Sequence, residues 1–219
     1  MTAMLIVDLA VLTLLAVWVR AEPAGGALDR RVAAALQAEP PSLSWSVAGK
    51  LAFLGTAPVA LLLGQTLALL TWRRFREPAL VLFSAMVPPG AIATGVVLKE
   101  IVARGPSART PLARHDHSVV SSLAARLKFS FPSGHATAVS ALVFVAVAVV
   151  FAASRRRRTR VWCLLGAAAL VVVVSGSRIV IGVHDFSDVV AGWLTASAVA
   201  LGLALVVHRT GRGRLPQER

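Results

Sequence analysis

Cysteine and charge are both scarce in this chain. Cys163 is the single cysteine, which excludes an intramolecular disulfide. Charged residues make up 15% of the 219 residues, whereas an average soluble domain contains about a quarter. Hydrophobic residues make up 57% and arrive in long blocks, which a soluble protein of this length could not bury. The composition therefore predicts one integral membrane domain that spans residues 1–219.

The charges that are present are mostly positive, and the formal net charge is +13. A basic face on a soluble domain would indicate nucleic-acid binding. Here most basic residues lie in short clusters at the ends of apolar blocks, where they act as topology signals and contact lipid headgroups. We therefore expect no nucleic-acid partner.

Six apolar segments are long enough to cross a membrane, because a helix needs about 20 residues to span the hydrocarbon core. We expect an all-α integral membrane protein, a six-transmembrane-helix bundle with the spans Met4–Arg20, Val47–Trp72, Pro78–Val102, Pro132–Ala153, Val161–Ile181 and Phe186–Val207. The amphipathic stretch Leu28–Ala38 lies in the first outward loop and predicts a short interfacial helix. Pro58 and the pair Pro88-Pro89 fall inside spans, where we expect bends.

Arginine clusters predict the orientation of the bundle. They follow the second, fourth and sixth spans: Arg73, Arg74 and Arg76; Arg155–Arg158 with Arg160; and Arg209, Arg212 and Arg214. Because positive clusters favour the cytoplasm, both termini are predicted inside, and the loops 103–131 and 182–185 outside. The abundance of alanine, valine and arginine is typical of a high-GC bacterium, so we expect a multi-pass protein of the bacterial plasma membrane.

The fourth span begins with a proline, a small polar pair and a histidine. Pro132 suits a first helical turn, while Ser133 and Gly134 place a hydroxyl and unhindered backbone amides at the helix N-terminus. Such an end attracts anions, and His135 beside it can exchange a proton near neutral pH. Alone, this segment is also consistent with a capped helix that carries a surface histidine.

The junction of the fifth and sixth spans carries Arg178, His184 and Asp188. If the sixth helix starts near His184, the spacing of four residues places the imidazole and the carboxylate on one face. A carboxylate on one ring nitrogen fixes the tautomer and leaves the other nitrogen free to attack. Arg178 adds donors that suit phosphate oxygens. Alone, these residues are also consistent with a structural ion pair.

The third span contributes Lys99 and, just beyond it, Arg104. A lone lysine at the end of a span is more often a membrane anchor than a ligand. In the predicted topology, however, both residues join the two histidines, Asp188 and Arg178 on the outward side. Ionisable groups at membrane depth are costly and indicate function. The combination predicts a phosphate pocket with a nucleophile and a second histidine for proton transfer.

Three motifs in this order resemble the type 2 phosphatidic acid phosphatase family, whose motifs read roughly K-x6-R-P, P-S-G-H and S-R-x5-H-x3-D. The resemblance extends from about Leu51 to Val207. The second motif is matched by Pro132-Ser133-Gly134-His135, and the third by Ser177-Arg178, His184 and Asp188.

The first motif departs from the family pattern. Counting from Lys99, Pro106 occupies the position of the usual arginine. Either Arg104 replaces the missing guanidinium or Arg109 reaches in from the loop, and we favour Arg104.

The resemblance implies the roles of these residues. His184 attacks phosphorus and forms a phosphohistidine, Asp188 holds its ring, and His135 protonates the leaving oxygen. The phosphoryl oxygens are bound by Lys99, Arg104, Ser133, Gly134 and Arg178.

Carboxylates are scattered around these motifs and form no cluster that would bind magnesium. Fixed cations and helix amides are expected to stabilise the negative charge of the phosphoryl group, as magnesium often does. We therefore expect metal-independent activity, with no metal and no cofactor. The segment His115-Asp116-His117 has the residue types of a metal site but no further ligands nearby, and we interpret it as loop polarity.

A pocket at the outer membrane face favours a phosphate carried on a lipid. A polyprenyl diphosphate, which would leave as the monophosphate, is slightly preferred over phosphatidic acid or phosphatidylglycerol phosphate. A lipid transporter or flippase would instead place ionisable groups near the middle of the membrane. A lipid phosphotransferase with the same histidine stays open, as does the oligomeric state.

Overall fold

The computed structural model describes residues 1–105 and 129–212, with side chains as far as Arg209. Within these ranges the secondary structure is helical and contains no strand. The helices are α1 (Thr2–Ala21), α2 (Ala27–Leu36), α3 (Leu43–Ala52), a 3-10 turn (Phe53–Gly55), α4 (Ala57–Phe75), α5 (Pro78–Val102), α6 (Gly134–Ala153), α7 (Arg157–Val180) and α8 (Phe186–Arg212).

The long helices have the length and composition of membrane spans. In the part of the chain that the structure describes, α1, α5, α6, α7 and α8 each pass this test alone. The segments Leu43–Gly55 and Ala57–Phe75 pass it together and provide a sixth span if they cross as one. The predicted all-helical, multi-pass membrane fold is therefore confirmed.

The second span is bent close to Pro58, where the sequence predicted a bend. It bends by 44° between Leu43–Gly55 and Ala57–Phe75. Pro58 lies directly after this break, in the first turn of α4, where its missing N–H removes no helical hydrogen bond. In contrast, Pro88 and Pro89 lie inside α5, which continues past them.

Gly55, at this break, permits a close approach to the start of α6. A Cβ atom at Gly55 would lie 2.8 Å from Val174 Cγ1 and 3.1 Å from the His135 carbonyl oxygen. Only a glycine fits at these distances without displacing the neighbouring helix. The break in the second span is therefore packed directly against His135.

Small residues form the core between α5, α6 and α8. Its buried members are Val87, Ala91, Ala141, Val145, Ala196 and Ala200. Gly192 of α8 makes the closest approach, because a Cβ atom there would lie 2.8 Å from both Ala136 Cβ and the Ser133 carbonyl oxygen. Small side chains let membrane helices approach closely, so the starts of α6 and α8 lie side by side.

The predicted interfacial segment forms α2, one residue earlier at its start and two at its end than expected. Its residues Asp29 and Ala33 are buried. Just beyond α2, the Ala38 N–H donates to the Val180 carbonyl oxygen at 2.9 Å. Helix α2 and the turn after it therefore pack against the end of the bundle where α7 ends and α8 begins.

Candidate active site

Four helix ends meet at this end of the bundle. Lys99 lies in the last turn of α5, His135 in the first turn of α6, Arg178 in the last turn of α7, and His184 in the turn before α8. A main-chain hydrogen bond joins two of these ends, because the Ser133 N–H donates to the Asp188 carbonyl oxygen at 2.9 Å. The motif residues that are separated in the sequence are thus brought to one place.

His184 and Asp188 form a pair at the start of α8. The distance from His184 Nδ1 to Asp188 Oδ2 is 3.4 Å, and the two side chains are 11% and 0% exposed. The Asp185 N–H also donates to Asp188 Oδ2, at 3.1 Å. Because Nδ1 faces the carboxylate, the other ring nitrogen, Nε2, is left for chemistry.

The surroundings of His184 favour a neutral imidazole. Burial lowers its pKa from the ordinary value, the contact with Asp188 opposes this effect, and the positive charges of Arg178 and Lys99 lower the pKa further. A neutral imidazole has a free lone pair and can act as a nucleophile. The surroundings of His184 thus favour the form of the ring that a nucleophile requires.

His135 belongs to the same cluster of charges. It is half-buried in the first turn of α6, and its ring interacts electrostatically with Arg178, His184 and Lys99. Gly55 packs closely against the carbonyl oxygen and Cβ of His135 and so restricts its position. The second histidine is therefore held near the first by packing against the broken second span.

Lys99 and Arg178 are cations with no carboxylate within ion-pair distance in residues 1–105 and 129–212. Lys99 is buried, and its Nζ donates to the carbonyl oxygens of Phe129 at 2.6 Å and Ser130 at 3.4 Å. The Nε of Arg178 is buried and has no hydrogen-bond partner among the described residues. An unpaired buried charge is costly, so both cations are suited to an anion that enters from outside.

The start of α6 adds backbone donors to this pocket. Ser133 is buried, and its Oγ accepts from the Ala136 N–H at 3.5 Å, which is a long capping contact. The first amides of a helix have no partner inside the helix, which leaves the N–H groups of Gly134 and His135 for a ligand. Within residues 1–105 and 129–209, no side chain lies within 4 Å of where a Gly134 Cβ would stand.

Arg104, which the sequence predicted to bind phosphate, contacts three carboxylates. Its guanidinium forms ion pairs with Asp188 at 2.7 Å, Asp185 at 2.8 Å and Asp29 at 3.4 Å. Burial opposes its charged form, but these carboxylates outweigh that effect and raise the pKa of Arg104. The donors of Arg104 are thus directed at carboxylates, and its predicted contact with phosphate stays a prediction.

Other predicted candidates lie outside the described residues, namely Pro106, Arg109 and the segment His115-Asp116-His117. Among the described residues, no group of three or more histidine, cysteine or acidic side chains is arranged to hold a metal ion. Sequence reasoning missed Asp29, Asp185 and Ser187, all of which contact Arg104. The only sequence signal for Asp29 was an acidic residue at the start of an otherwise apolar helical face.

Comparison with known proteins agrees with this arrangement. A family model described as PAP2 superfamily matches residues 77–212, which is more than half of the chain. The solved structure of a transmembrane PAP2-type phosphatidylglycerolphosphate phosphatase from Bacillus subtilis is similar, with a TM-score of 0.70, 19% sequence identity and 98% of each chain covered. Among curated proteins, no sequence matches significantly. This multi-pass membrane protein therefore belongs to the PAP2 superfamily, as its type 2 phosphatidic acid phosphatase motifs predicted.

Proposed function

We propose that the protein is a membrane lipid phosphatase that hydrolyses a lipid phosphate or diphosphate through a phosphohistidine on His184. The observation that carries this proposal is a buried imidazole held against Asp188 beside two cations, Lys99 and Arg178, that lack carboxylate partners in the described part of the chain. Such a site has a nucleophile and a place for an anion, which is what phosphoryl transfer requires.

The first step forms a phosphohistidine. Nε2 of His184 attacks phosphorus, the P–N bond forms, and the bond from phosphorus to the lipid oxygen breaks. His135 donates a proton to that departing oxygen as a general acid. Asp188 stabilises the positive charge that develops on the His184 ring, as a carboxylate does for the histidine of a serine protease.

The second step releases phosphate. Water attacks phosphorus, His135 accepts a proton from it, and the P–N bond breaks to restore His184. Throughout both steps the equatorial oxygens carry negative charge. Lys99, Arg178 and the amides at the start of α6 bind them, with Ser133 and Gly134 shaping that helix end.

The position of the site indicates a lipid substrate. It lies at the end of a bundle whose outward faces are apolar, with Leu14, Leu62 and Trp162 all at least 64% exposed. A phosphate on a lipid reaches such a site by lateral diffusion. We keep polyprenyl diphosphate as the preferred substrate, and the likeness to a phosphatidylglycerolphosphate phosphatase makes glycerophospholipid phosphates the second candidate.

The site is proposed to face outward from a bacterial plasma membrane. The arginine clusters after α4 and α6 lie at the ends of those helices remote from His135 and His184, and positive ends favour the cytoplasm. An epitope tag at the C-terminus should be protected from external protease in intact cells. Cleavage of the tag there would reverse the orientation.

Purified protein in detergent should release inorganic phosphate from lipid phosphates. The panel is undecaprenyl diphosphate, phosphatidic acid and phosphatidylglycerol phosphate. Because protein cations bind the phosphoryl group, excess EDTA should leave the rate unchanged within about twofold. A strict magnesium requirement would contradict the metal-independent mechanism. Transfer of phosphate to a second lipid without phosphate release would indicate a phosphotransferase, and no turnover of any lipid would favour a transporter.

A further inference from the structure

A second cluster of charges lies behind the proposed nucleophile. Its members are one guanidinium, Arg104, and three carboxylates, Asp29, Asp185 and Asp188, all with side chains at most 8% exposed. Asp188 belongs to the pair with His184, and Asp185 precedes α8. Asp29 comes from α2, the helix of the first loop, which contributes no other group to the reaction described above.

Arg104 connects Asp29 to the carboxylate of the nucleophile pair. Its Nη1 donates to Asp188 Oδ1 at 2.7 Å and to Ser187 Oγ at 2.9 Å. Its Nη2 donates to Asp185 Oδ2 at 2.8 Å and to Asp29 Oδ2 at 3.4 Å. Since Arg104 occupies Oδ1 of Asp188, the other oxygen, Oδ2, is the one that faces the imidazole.

Asp29 also holds the start of α8 directly. Its Oδ1 accepts from the Ser187 N–H at 2.8 Å, and its Oδ2 accepts from Ser187 Oγ at 2.7 Å. Ser187 lies in the first turn of α8, where amides have no partner inside the helix. A carboxylate at this position stabilises the helix start as a capping residue does, although here it comes from a distant segment. Asp29 therefore fixes the turn that carries both His184 and Asp188.

The balance of charge gives Asp29 a second effect. An arginine paired with Asp188 alone would cancel most of the negative charge that acts on the imidazole. Asp29 and Asp185 share the guanidinium instead, so Asp188 keeps a larger part of its charge for His184. Interactions at these distances are strong in a buried site, where solvent screening is weak.

We propose that Asp29 is a positioning residue for the reaction: through Ser187 and Arg104 it holds Asp188 against His184 and preserves the charge of that carboxylate. This inference rests on the proposed function, because it assigns Asp29 a role in the activity of His184. Under this proposal, α2 contributes to the position of His184 through Asp29, in addition to lying at the membrane surface.

The test is Asp29→Asn in purified protein, assayed with one lipid phosphate over a range of pH. We expect kcat/KM to fall by about 10- to 100-fold, the loss that follows from a small misplacement of a reacting group. KM should change less than kcat, because Lys99 and Arg178 still bind the phosphate. Glu39→Gln is the matched control, since it removes an exposed carboxylate shortly after α2 and should leave both constants unchanged.

The pH profile separates positioning from a loss of folded protein. His184 is faced by Asp188 of α8, Arg178 of α7, His135 of α6 and Lys99 of α5, and the substitution alters none of them. Removing the Asp29 charge leaves Arg104 to neutralise more of Asp188, which makes the imidazolium less stable. The acid limb of kcat/KM should therefore move to lower pH than in the wild type.

Each outcome has one meaning. A lower melting temperature with unchanged kcat and an unchanged acid limb in the folded fraction would show that Asp29 is only structural. If Asp29→Asn does not fold, Ser187→Ala removes the hydroxyl between Asp29 and Arg104 and should show the same fall in kcat, whereas an unchanged kcat would overturn the inference. An inactive wild-type protein would instead contradict the proposed function itself.

Discussion

Replacing His184 with alanine is expected to reduce kcat/KM for lipid phosphate hydrolysis by about 10⁴-fold or more, because loss of a covalent nucleophile removes the whole reaction path. The protein should still fold, since His184 makes no hydrogen bond that closes the Arg104 cluster. Phosphate release in detergent and the melting temperature are the two measurements. Turnover within tenfold of the wild type would contradict the assigned role.

His135→Ala is the matched control for this prediction, because it removes the other imidazole of the same pocket. A general acid contributes about 10²- to 10⁴-fold, so lipid hydrolysis should fall by that range. With p-nitrophenyl phosphate, whose leaving group needs no proton, the first step should survive and a phosphoenzyme should accumulate. An alkaline quench should trap phosphohistidine in His135→Ala and none in His184→Ala. Equal trapping in both variants would place the nucleophile elsewhere.

The half-buried Arg178 and the buried Arg104 are expected to respond differently to the same substitution. Arg178→Gln removes a cation that has no carboxylate partner among the described residues, so it should lower kcat/KM by about 10- to 100-fold, the loss of one hydrogen bond to a charged group. Its melting temperature should hardly change. Arg104→Gln removes the cation that pairs with three buried carboxylates and should cost about 3–5 kcal/mol of unfolding free energy.

Inorganic phosphate provides the readout that separates these two roles. It should raise the melting temperature of the wild type by binding the folded state. Arg178→Gln should lose this increase, whereas Arg104→Gln should keep it on a lower baseline. If Arg104→Gln lost the phosphate effect while its stability stayed normal, Arg104 would be a phosphate ligand after all, as the sequence first indicated.

The site was predictable where it depends on local spacing. Four residues separate His184 from Asp188, and this spacing places Nδ1 and Oδ2 3.4 Å apart at the start of α8. The P-S-G-H order likewise predicts a helix that starts at Pro132, and the helix begins two residues later, at Gly134, with Ser133 as its cap. Although His184 lies in the turn before α8 and not in the helix, residues so close in the sequence stay close in space, so sequence is sufficient to predict its contact with Asp188.

The partner of Arg104 was not predictable in the same way. Asp29 is 75 residues away from it along the chain, and no spacing rule connects an interfacial helix to a loop after the third span. Counting motif positions from Lys99 showed only that Arg104 lies two residues before Pro106, the position where the family usually has an arginine. Whether an arginine at this position contacts phosphate or carboxylates depends on tertiary contacts, so the motif spacing alone did not predict the ion pairs of Arg104.

The sequence predicted a bend in the second span but not that the span divides into two separate helices, and the reason is different. Residues from Val47 to Trp72 form one apolar run, and hydropathy alone does not distinguish a continuous helix from two helices joined at an angle. Pro58 indicated a disturbance but suits an internal bend and a helix start equally well. The close approach of Gly55 to His135 decides between them, and this contact exists only in the folded protein.

The two ends of the segment between α5 and α6 are fastened to each other. The Ser130 N–H donates to the Arg104 carbonyl oxygen at 2.9 Å, Ser130 Oγ donates to the Gly105 carbonyl oxygen at 3.1 Å, and Lys99 holds the Phe129 carbonyl oxygen at 2.6 Å. The chain therefore leaves the site at Gly105 and returns to it at Phe129 with these two points held close together. These contacts fix the distance between the end of α5, with Lys99, and the start of α6, with His135, whichever residues stand at positions 106–128.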